Sequence, residues 1–328
     1  MSIYEMYYII GGKIMINLND YPRLANETDD APRIQRALDD AALRTVYIPE
    51  GTYEIASPLI VRNQASIQME NQTVIECVKE MDFMLEWNGA GGKYSKNCAV
   101  RGGCLNAKGL ASCMKLMNYS HFTISDINFR SGKKYGLCLS EEGRGVECFC
   151  NNAYFSNTEP GLQGNTAIYV HHTDAHFTDC VVVDYTYGVW DCVGGGNRFT
   201  RIHVWVGAMQ VDGVPQYIKG SINFVLKSPV WGECVLQDCY ADTGEIGFDI
   251  YSCARLHSCA YFNNYDWLKF DNVLAIRNNS TDSVQIFDGC WTKTSPHAKF
   301  YEGNPHERVE FRGNLFFGGL EPNHPAIK

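Results

Sequence analysis

Short apolar runs, each closed by one polar residue and a small one, recur through the second half of the chain. The phrase reads Phe177-Thr-Asp-Cys180, Leu236-Gln-Asp-Cys239, Leu256-His-Ser-Cys259 and Phe287-Asp-Gly-Cys290. Gly188 lies eight residues after Cys180, and Gly247 lies eight residues after Cys239. A large apolar residue, a polar corner and a small buried residue returning every ~20–30 residues predict a solenoid. The units lack helical periodicity and are rich in Val, Ile, Phe, Tyr and Cys, so each repeat reads as strands. We read each as one coil of a parallel β-helix. Further strands are expected through Cys98–Leu105, Phe122–Phe129, Ala167–Val170, Ser221–Leu226, Trp267–Phe270 and Phe311–Asn314.

The pattern changes near the N-terminus. Over residues 29–42, Ile34, Ala37, Leu38 and Ala41 fall on one helical face. Thr28 or Asp29 can cap this helix, and Pro32 suits its first turn. A short amphipathic helix here would cover the open end of the first coil, which is an unpaired sheet edge. Val46-Tyr-Ile-Pro-Glu-Gly-Thr-Tyr53 follows as strand, turn and strand. Thr28-Asp-Asp-Ala-Pro-Arg-Ile-Gln-Arg-Ala-Leu-Asp-Asp-Ala41 and the segment after it resemble the N-terminal signature of the pectate-lyase-like superfamily. That group holds pectate lyases, polygalacturonases, fructotransferases and phage tailspikes. The resemblance covers about residues 15–55. It implies an all-β fold: a single-stranded right-handed parallel β-helix with a short N-terminal capping α-helix. The ordered motifs of polygalacturonases and the basic signature of pectate lyases are not found. The resemblance therefore implies a fold and a carbohydrate bias, not a reaction.

Composition narrows the function classes. The 328 residues are 45% hydrophobic, ample for a large core. We expect an N-terminal extension at residues 1–14 and one β-helix domain over 15–328. The 28 basic and 37 acidic residues give a formal charge of -9. That argues against nucleic acid, and mildly against a polyanionic sugar unless a local basic patch reverses the field. No apolar run is long enough for a membrane span. Residues 1–12 lack the basic and apolar regions of a secretion signal. Fourteen cysteines then read as free thiols in a reducing, cytoplasmic setting, with a phage virion as the alternative. Cys180, Cys239, Cys259 and Cys290 should stack inward as small hydrophobes, with Ile202 taking the place of Cys in the intervening coil. His171 and His172 should point to opposite sides of a strand, so the cluster 171–176 is not read as a metal site. No cofactor is expected.

The register builds a site. If the corner Cys is buried, residues one and three later face outward. The first row reads Val181, His203, Tyr240, Ala260 and Trp291. The second reads Val183, Trp205, Asp242, Phe262 and Lys293. After the glycine corner, Tyr169, Trp190, Val225, Asp249 and Lys269 are expected to face outward. Two coils carry insertions, at residues 207–220 and 227–233, which must leave through the turns. Trp190, His203, Trp205, Asp212, Tyr240 and Lys269 are the candidate substrate-binding residues. Asp242, Glu245 and Asp249 are the catalytic candidates, because glycoside cleavage needs two carboxyl groups. If none of these serves, Asp184, Asp191 and Asp212 flank the same loop.

The expected partner is an oligo- or polysaccharide, cleaved or rearranged at a glycosidic bond by paired carboxylates. A lyase, with His203, Tyr240 or Lys269 as base, is one alternative; a glycan-binding or tailspike-like protein without turnover is another. The outward aromatic surface reads as a sugar platform or as the contact of a homo-oligomer, a trimer being favoured.

Overall fold

The computed structural model describes residues 15–317, apart from 90–93, 193–194, 208–209, 212–213, 216–217, 228–232, 264–272, 281–282, 295–298 and 304–308. These residues form the expected parallel β-helix. Each full coil contributes a strand to three parallel sheets in turn. The first sheet runs from Met15–Asn17 to Val309–Arg312. The second runs from Gly51–Ile55 to Leu315–Phe317, and the third from Leu59–Val61 to Lys299–Gly303.

The recurring phrase marks the corner between the first and second sheets. Its apolar residue points into the core, where Phe177 stacks on Phe199 at 5.3 Å. Its residue just before the Cys turns the chain alone, in the left-handed region. Asp179, Asp238 and Ser258 have φ of 55°, 53° and 51°, and Gly289 has 63°. Asp, Asn and Gly tolerate that conformation best, which accounts for the polar or glycine residue there. The segments read as continuous strands at 98–105 and 122–129 instead bend at this corner. Gly102 and Gly103 turn the one, and Asp126 turns the other.

The corner cysteines are buried as expected, and Cys180, Ile202 and Cys239 occupy successive coils. They do more than fill space. Cys239 Sγ–H donates to the Phe199 carbonyl at 3.2 Å, and Cys290 Sγ–H donates to Leu256 at 3.3 Å. A thiol thus joins one coil to the backbone of the preceding one. Gly188 and Gly247 are required by close approach. A Cβ on Gly188 would lie 2.4 Å from Val204 Cγ1, and one on Gly247 would lie 2.5 Å from the Tyr261 ring.

The N-terminal cap meets the first edge of all three sheets. Helix α1 spans Ala31–Asp40 and buries Ala31, Ile34, Ala37 and Leu38. Met15–Asn17 pairs with Thr45–Ile48 and extends the first sheet. Asp30 exchanges hydrogen bonds with the backbone of the second sheet: its N–H donates to Glu54 O, and Glu54 N–H donates to its carboxylate. The Gln35 side chain does the same for the third, donating to Ile60 O and accepting from Ile60 N–H. An edge strand without partners invites association, and these groups satisfy it internally. Asp29, not Thr28, accepts from the first helical N–H, that of Ala31. Asp30 is spent on the sheet and on Arg23 and Arg33. Burial pushes its carboxyl up, but the two guanidinium groups more than offset this and hold it below the usual carboxylate range.

A carboxyl and an imidazole lie among the buried groups inside the coil. Burial raises Asp191 from 3.8 to about 7, against hydrogen bonds from Asn197 and Cys234 that lower it. Burial lowers His172 from 6.5 to about 4; its Nδ1 meets the Tyr119 hydroxyl at 3.0 Å. The two act in opposite directions. Between about pH 4 and pH 6.5 the folded state lacks the His172 proton that the unfolded chain carries, so stability rises with pH. Over nearly the same window it holds an Asp191 proton that the unfolded chain has lost, so stability falls. The two slopes, each about 1.4 kcal/mol per pH unit, should largely cancel. Asp191→Asn should therefore be more stable than the parent above pH 7. It should also gain stability steeply between pH 4 and 6.5, where the parent is nearly flat. Thermal denaturation across pH 4–8 reads both; parallel curves for the two proteins would refute this account.

Candidate active site

The strand register places the predicted rows as read from the sequence. On the outer face of the second sheet, Val181, His203, Tyr240, Ala260 and Trp291 are successive neighbours, as are Val183, Trp205, Asp242, Phe262 and Lys293. His203 stacks on Tyr240 with ring centroids 4.7 Å apart and planes 10° apart. Tyr240 reaches over the small Ala260 toward Trp291, at 6.5 Å. Trp205 and Trp291 stand 38% and 39% exposed. Lys293 places its ammonium 5.7 Å from the centre of the Phe262 ring.

Asp242 ends its strand beside this stack. Its Oδ2 lies 3.5 Å from His203 Nε2, and only 13% of its side chain is exposed. Its Oδ1 is buried and has no hydrogen-bond partner among the described residues, and the same holds for His203 Nε2. A carboxyl with one buried oxygen left over, next to an imidazole, is equipped to pass or accept a proton.

Glu245 sits across the turn from Asp242, and its position is explained by the loop. The insertion leaves the second sheet after Val206, contains a small hairpin pairing Gln210–Val211 with Val214–Pro215, and rejoins the third sheet at Ser221. Carboxylates of the adjoining coils tie down both ends. Gly207 N–H donates to Asp184 at 2.6 Å, and Gly220 N–H donates to Glu245 Oε2 at 2.6 Å. Ser221 Oγ accepts from Glu245 N–H. Asp184 and Glu245 therefore anchor the loop, a role that strand alternation could not reveal.

Asp249 departs from the expected cluster. It occupies the outward row of the third sheet, yet it is only 1% exposed. Arg277 grips it with two hydrogen bonds of 2.7 Å, and Asn279 adds a third of 2.7 Å. Asp242 and Asp249 thus lie on different sheets of one coil, and Asp249 is committed to an ion pair. Trp190 also belongs to the third sheet, away from His203, Trp205 and Tyr240. There the Lys227 ammonium rests between the rings of Trp190 and Tyr251, at 4.8 Å and 4.5 Å. The expected neighbour Lys269 lies outside the described residues, as does Asp212. The strand of that coil is Leu274–Asn278, and Arg277 holds the position next to Asp249. The signal for it is the run Leu274-Ala-Ile-Arg-Asn278, which fits the register better than residues 267–270. His171 and His172 do point apart: His171 is half-buried near Glu141, and His172 is buried against Tyr119.

No protein-family model and no curated protein matches the sequence. Solved structures match through the fold. A protein of Geobacillus virus E2, ORF18, superposes with a TM-score of 0.65 at 16% identity, over 94% of this chain and 61% of that one. The chain thus spans about three fifths of that viral protein. The tailspike protein of E. coli bacteriophage HK620, solved with a pentasaccharide, gives 0.60 at 12% identity, over 93% of this chain and 67% of that one. A galactohydrolase named for galactose-4-sulfate and 3,6-anhydrogalactose-2-sulfate gives 0.57 at 11% identity, over 97% of this chain and 93% of that one. At these identities the likeness shows the parallel β-helix fold that the N-terminal segment suggested.

The Asp249–Arg277 pair makes a direct prediction. Arg277→Met removes the cation from a buried carboxylate and should cost about 3–5 kcal/mol. Adding Asp249→Leu should restore much of that loss, because no buried charge then remains. Urea unfolding of both single variants and the double variant measures the coupling. Additive single effects would show that the pair carries no interaction.

Proposed function

We propose that the chain is a carbohydrate-active enzyme that cleaves or rearranges a glycosidic bond on the outer face of the second sheet. The observation that carries this reading is Asp242: a nearly buried carboxyl with an unpartnered oxygen, facing a His203 ring that is itself stacked on Tyr240. Aromatic faces hold sugar rings, and acceptors beside them take the hydroxyls. In this reading His203, Tyr240 and Trp205 form the platform, Asp242 protonates the departing oxygen, and Glu245 supplies the second carboxyl while holding the end of the loop. Asp249 serves the fold. The carbohydrate-acting proteins that share the fold support the substrate class.

A glycan-binding virion protein without turnover is the second reading. It is favoured by the two phage proteins among the structural matches and by the engagement of Glu245 in loop anchoring. Reducing sugar released from a panel of polysaccharides separates the two. Ultraviolet absorbance of an unsaturated product would instead identify a lyase using His203 as base.

Asp242→Asn keeps the shape of the side chain and removes proton transfer, so turnover should fall about a hundredfold or more with little change in KM. Glu245→Gln should act on both constants, since it weakens the loop anchor as well. Trp205→Ala should act mainly through KM, because stacking holds ground and transition states alike. A folded Asp242→Asn with near-normal turnover would remove Asp242 from the mechanism.

The C-terminal coils leave an apolar edge in water, with Leu315 62% exposed beside Trp291 at 39%. We propose that a homotrimer covers it. Light scattering should return three times the monomer mass of 36.9 kDa. A monomeric mass for the parent at micromolar concentration would refute this. If the trimer forms, Leu315→Glu should return the mass to that of a monomer.

A further inference from the structure

The outer face of the second sheet continues toward the N-terminus, and its character changes there. Above Val181 the first row reads Tyr154, Asn128 and Cys104; above Val183 the second row reads Ser156, Arg130 and Asn106. Three polar atoms in this small region are buried without a hydrogen-bond partner: Arg130 Nε, Asn106 Oδ1 and Asn128 Oδ1. Arg130 and Asn106 are adjacent across the strands, and Asn128 lies two residues before Arg130 on the same face. Among the described residues no carboxylate or carbonyl accepts from Arg130 Nε. A buried guanidinium N–H and two buried amide oxygens left unpaired each cost free energy that a ligand could recover.

The ligand that completes this set must accept from Arg130 and donate to both amides. A simple anion offers acceptors only. Neighbouring hydroxyl groups offer both. Tyr154, 42% exposed, stands next to Asn128 in the following coil and leaves an aromatic ring open to solvent. Glu76 adds a further acceptor at the margin, where Asn106 Nδ2 and Lys108 Nζ already hold it at 3.0 Å and 2.9 Å. The local charge disfavours an acidic sugar, since Glu54, Glu76 and Glu159 surround Lys108 and outweigh it together with Arg130.

We infer that Asn106, Asn128, Arg130 and Tyr154 form a subsite for an uncharged pyranose unit, which stacks on Tyr154 and shares its hydroxyls with the other three side chains. This inference rests on the proposal that a glycan lies along the second sheet. Four coil steps separate Arg130 from Asp242, through Ser156, Val183 and Trp205. At ~4.8 Å per coil that is roughly 19 Å. The subsite would therefore grip a chain well away from the bond being broken. It would select for length and not alter the chemical step.

The test uses the full chain, titrated calorimetrically with graded series of neutral gluco-, galacto- and manno-oligosaccharides, and with oligogalacturonate as the acidic control. The expected result is binding to at least one neutral series, with affinity rising with length. Tyr154→Ala and Arg130→Met should each weaken the longer members about tenfold or more and leave the shortest binding members unchanged. For any member that is turned over, KM should rise and kcat hold. Asp242→Asn should retain the length-dependent affinity, so loss of turnover and loss of the subsite are read separately. The same Tyr154 dependence in a chain without turnover would uphold the subsite while overturning the catalytic reading. Tyr154 is exposed, so its variant stays informative even if Arg130→Met misfolds. Unchanged affinity in folded Tyr154→Ala, no binding to any neutral series, or preference for oligogalacturonate would overturn the inference.

Discussion

The stacking of one coil on the next through parallel backbone hydrogen bonds is the constraint on which everything else in this molecule depends. Each coil lends its N–H and C=O groups to its two neighbours, so a residue on one coil has a fixed partner on the next. The corner between the first and second sheets holds that register. A left-handed residue makes the turn, two of them at Gly102 and Gly103, and a buried apolar residue follows it. There is no room for a slip, because shifting by one position would send the whole inward row to solvent. The Cys180, Ile202, Cys239, Cys259 and Cys290 column is the physical record of this. Its thiols donate to carbonyls of the preceding coil as well as filling the corner.

A rigid register converts surface chemistry into geometry. Side chains in one outward row lie about 4.8 Å apart, near enough to stack or to share a proton. His203 on Tyr240 is one product of this spacing, and Asp249 on Arg277 is another. A carboxyl at such a position keeps one oxygen without a partner among the described residues in one place and is half of a locked ion pair in another. What differs is the neighbour: an imidazole leaves one oxygen of Asp242 available, whereas a guanidinium occupies both oxygens of Asp249. The loop over residues 207–220 adds to the contrast. It takes Asp184 and Glu245 as its anchors, so two more carboxylates near the corner have structural work that limits their chemistry.

Among the described residues, buried side-chain atoms without a hydrogen-bond partner occur in several parts of the molecule, Trp87, Asn223 and Ser252 among them. A solenoid of this kind satisfies nearly all its backbone through the coils, and its N-terminal edges through Asp30, Gln35 and Met15–Asn17. Against that background, Asp242, His203, Asn106, Asn128 and Arg130 stand on one face with atoms left unpaired. The fold alone would support many activities. It is this set of unmet hydrogen bonds, together with the aromatic rings between them, that favours a hydroxyl-rich chain along the second sheet.

The sequence by itself determined the coil. The phrase ending in Cys180, Cys239, Cys259 and Cys290 is legible because one period governs burial, turn and register together. The outward rows through His203, Tyr240 and Trp291, and through Trp205, Asp242 and Lys293, follow from that period alone. The capping helix is legible for a similar local reason, an apolar face of helical period behind a turn. Tertiary structure alone decided what each outward residue does. Alternation says that Asp249 faces away from the core, but not that Arg277 will cover it. It says that Glu245 lies in a turn, but not that Gly220 will donate to it. Arg130, Asn106 and Asn128 carry no signal in the sequence, because each is ordinary alone. Periodicity describes one residue against the core, whereas function depends on pairs and triples brought together from separate coils, and only the packed chain fixes those.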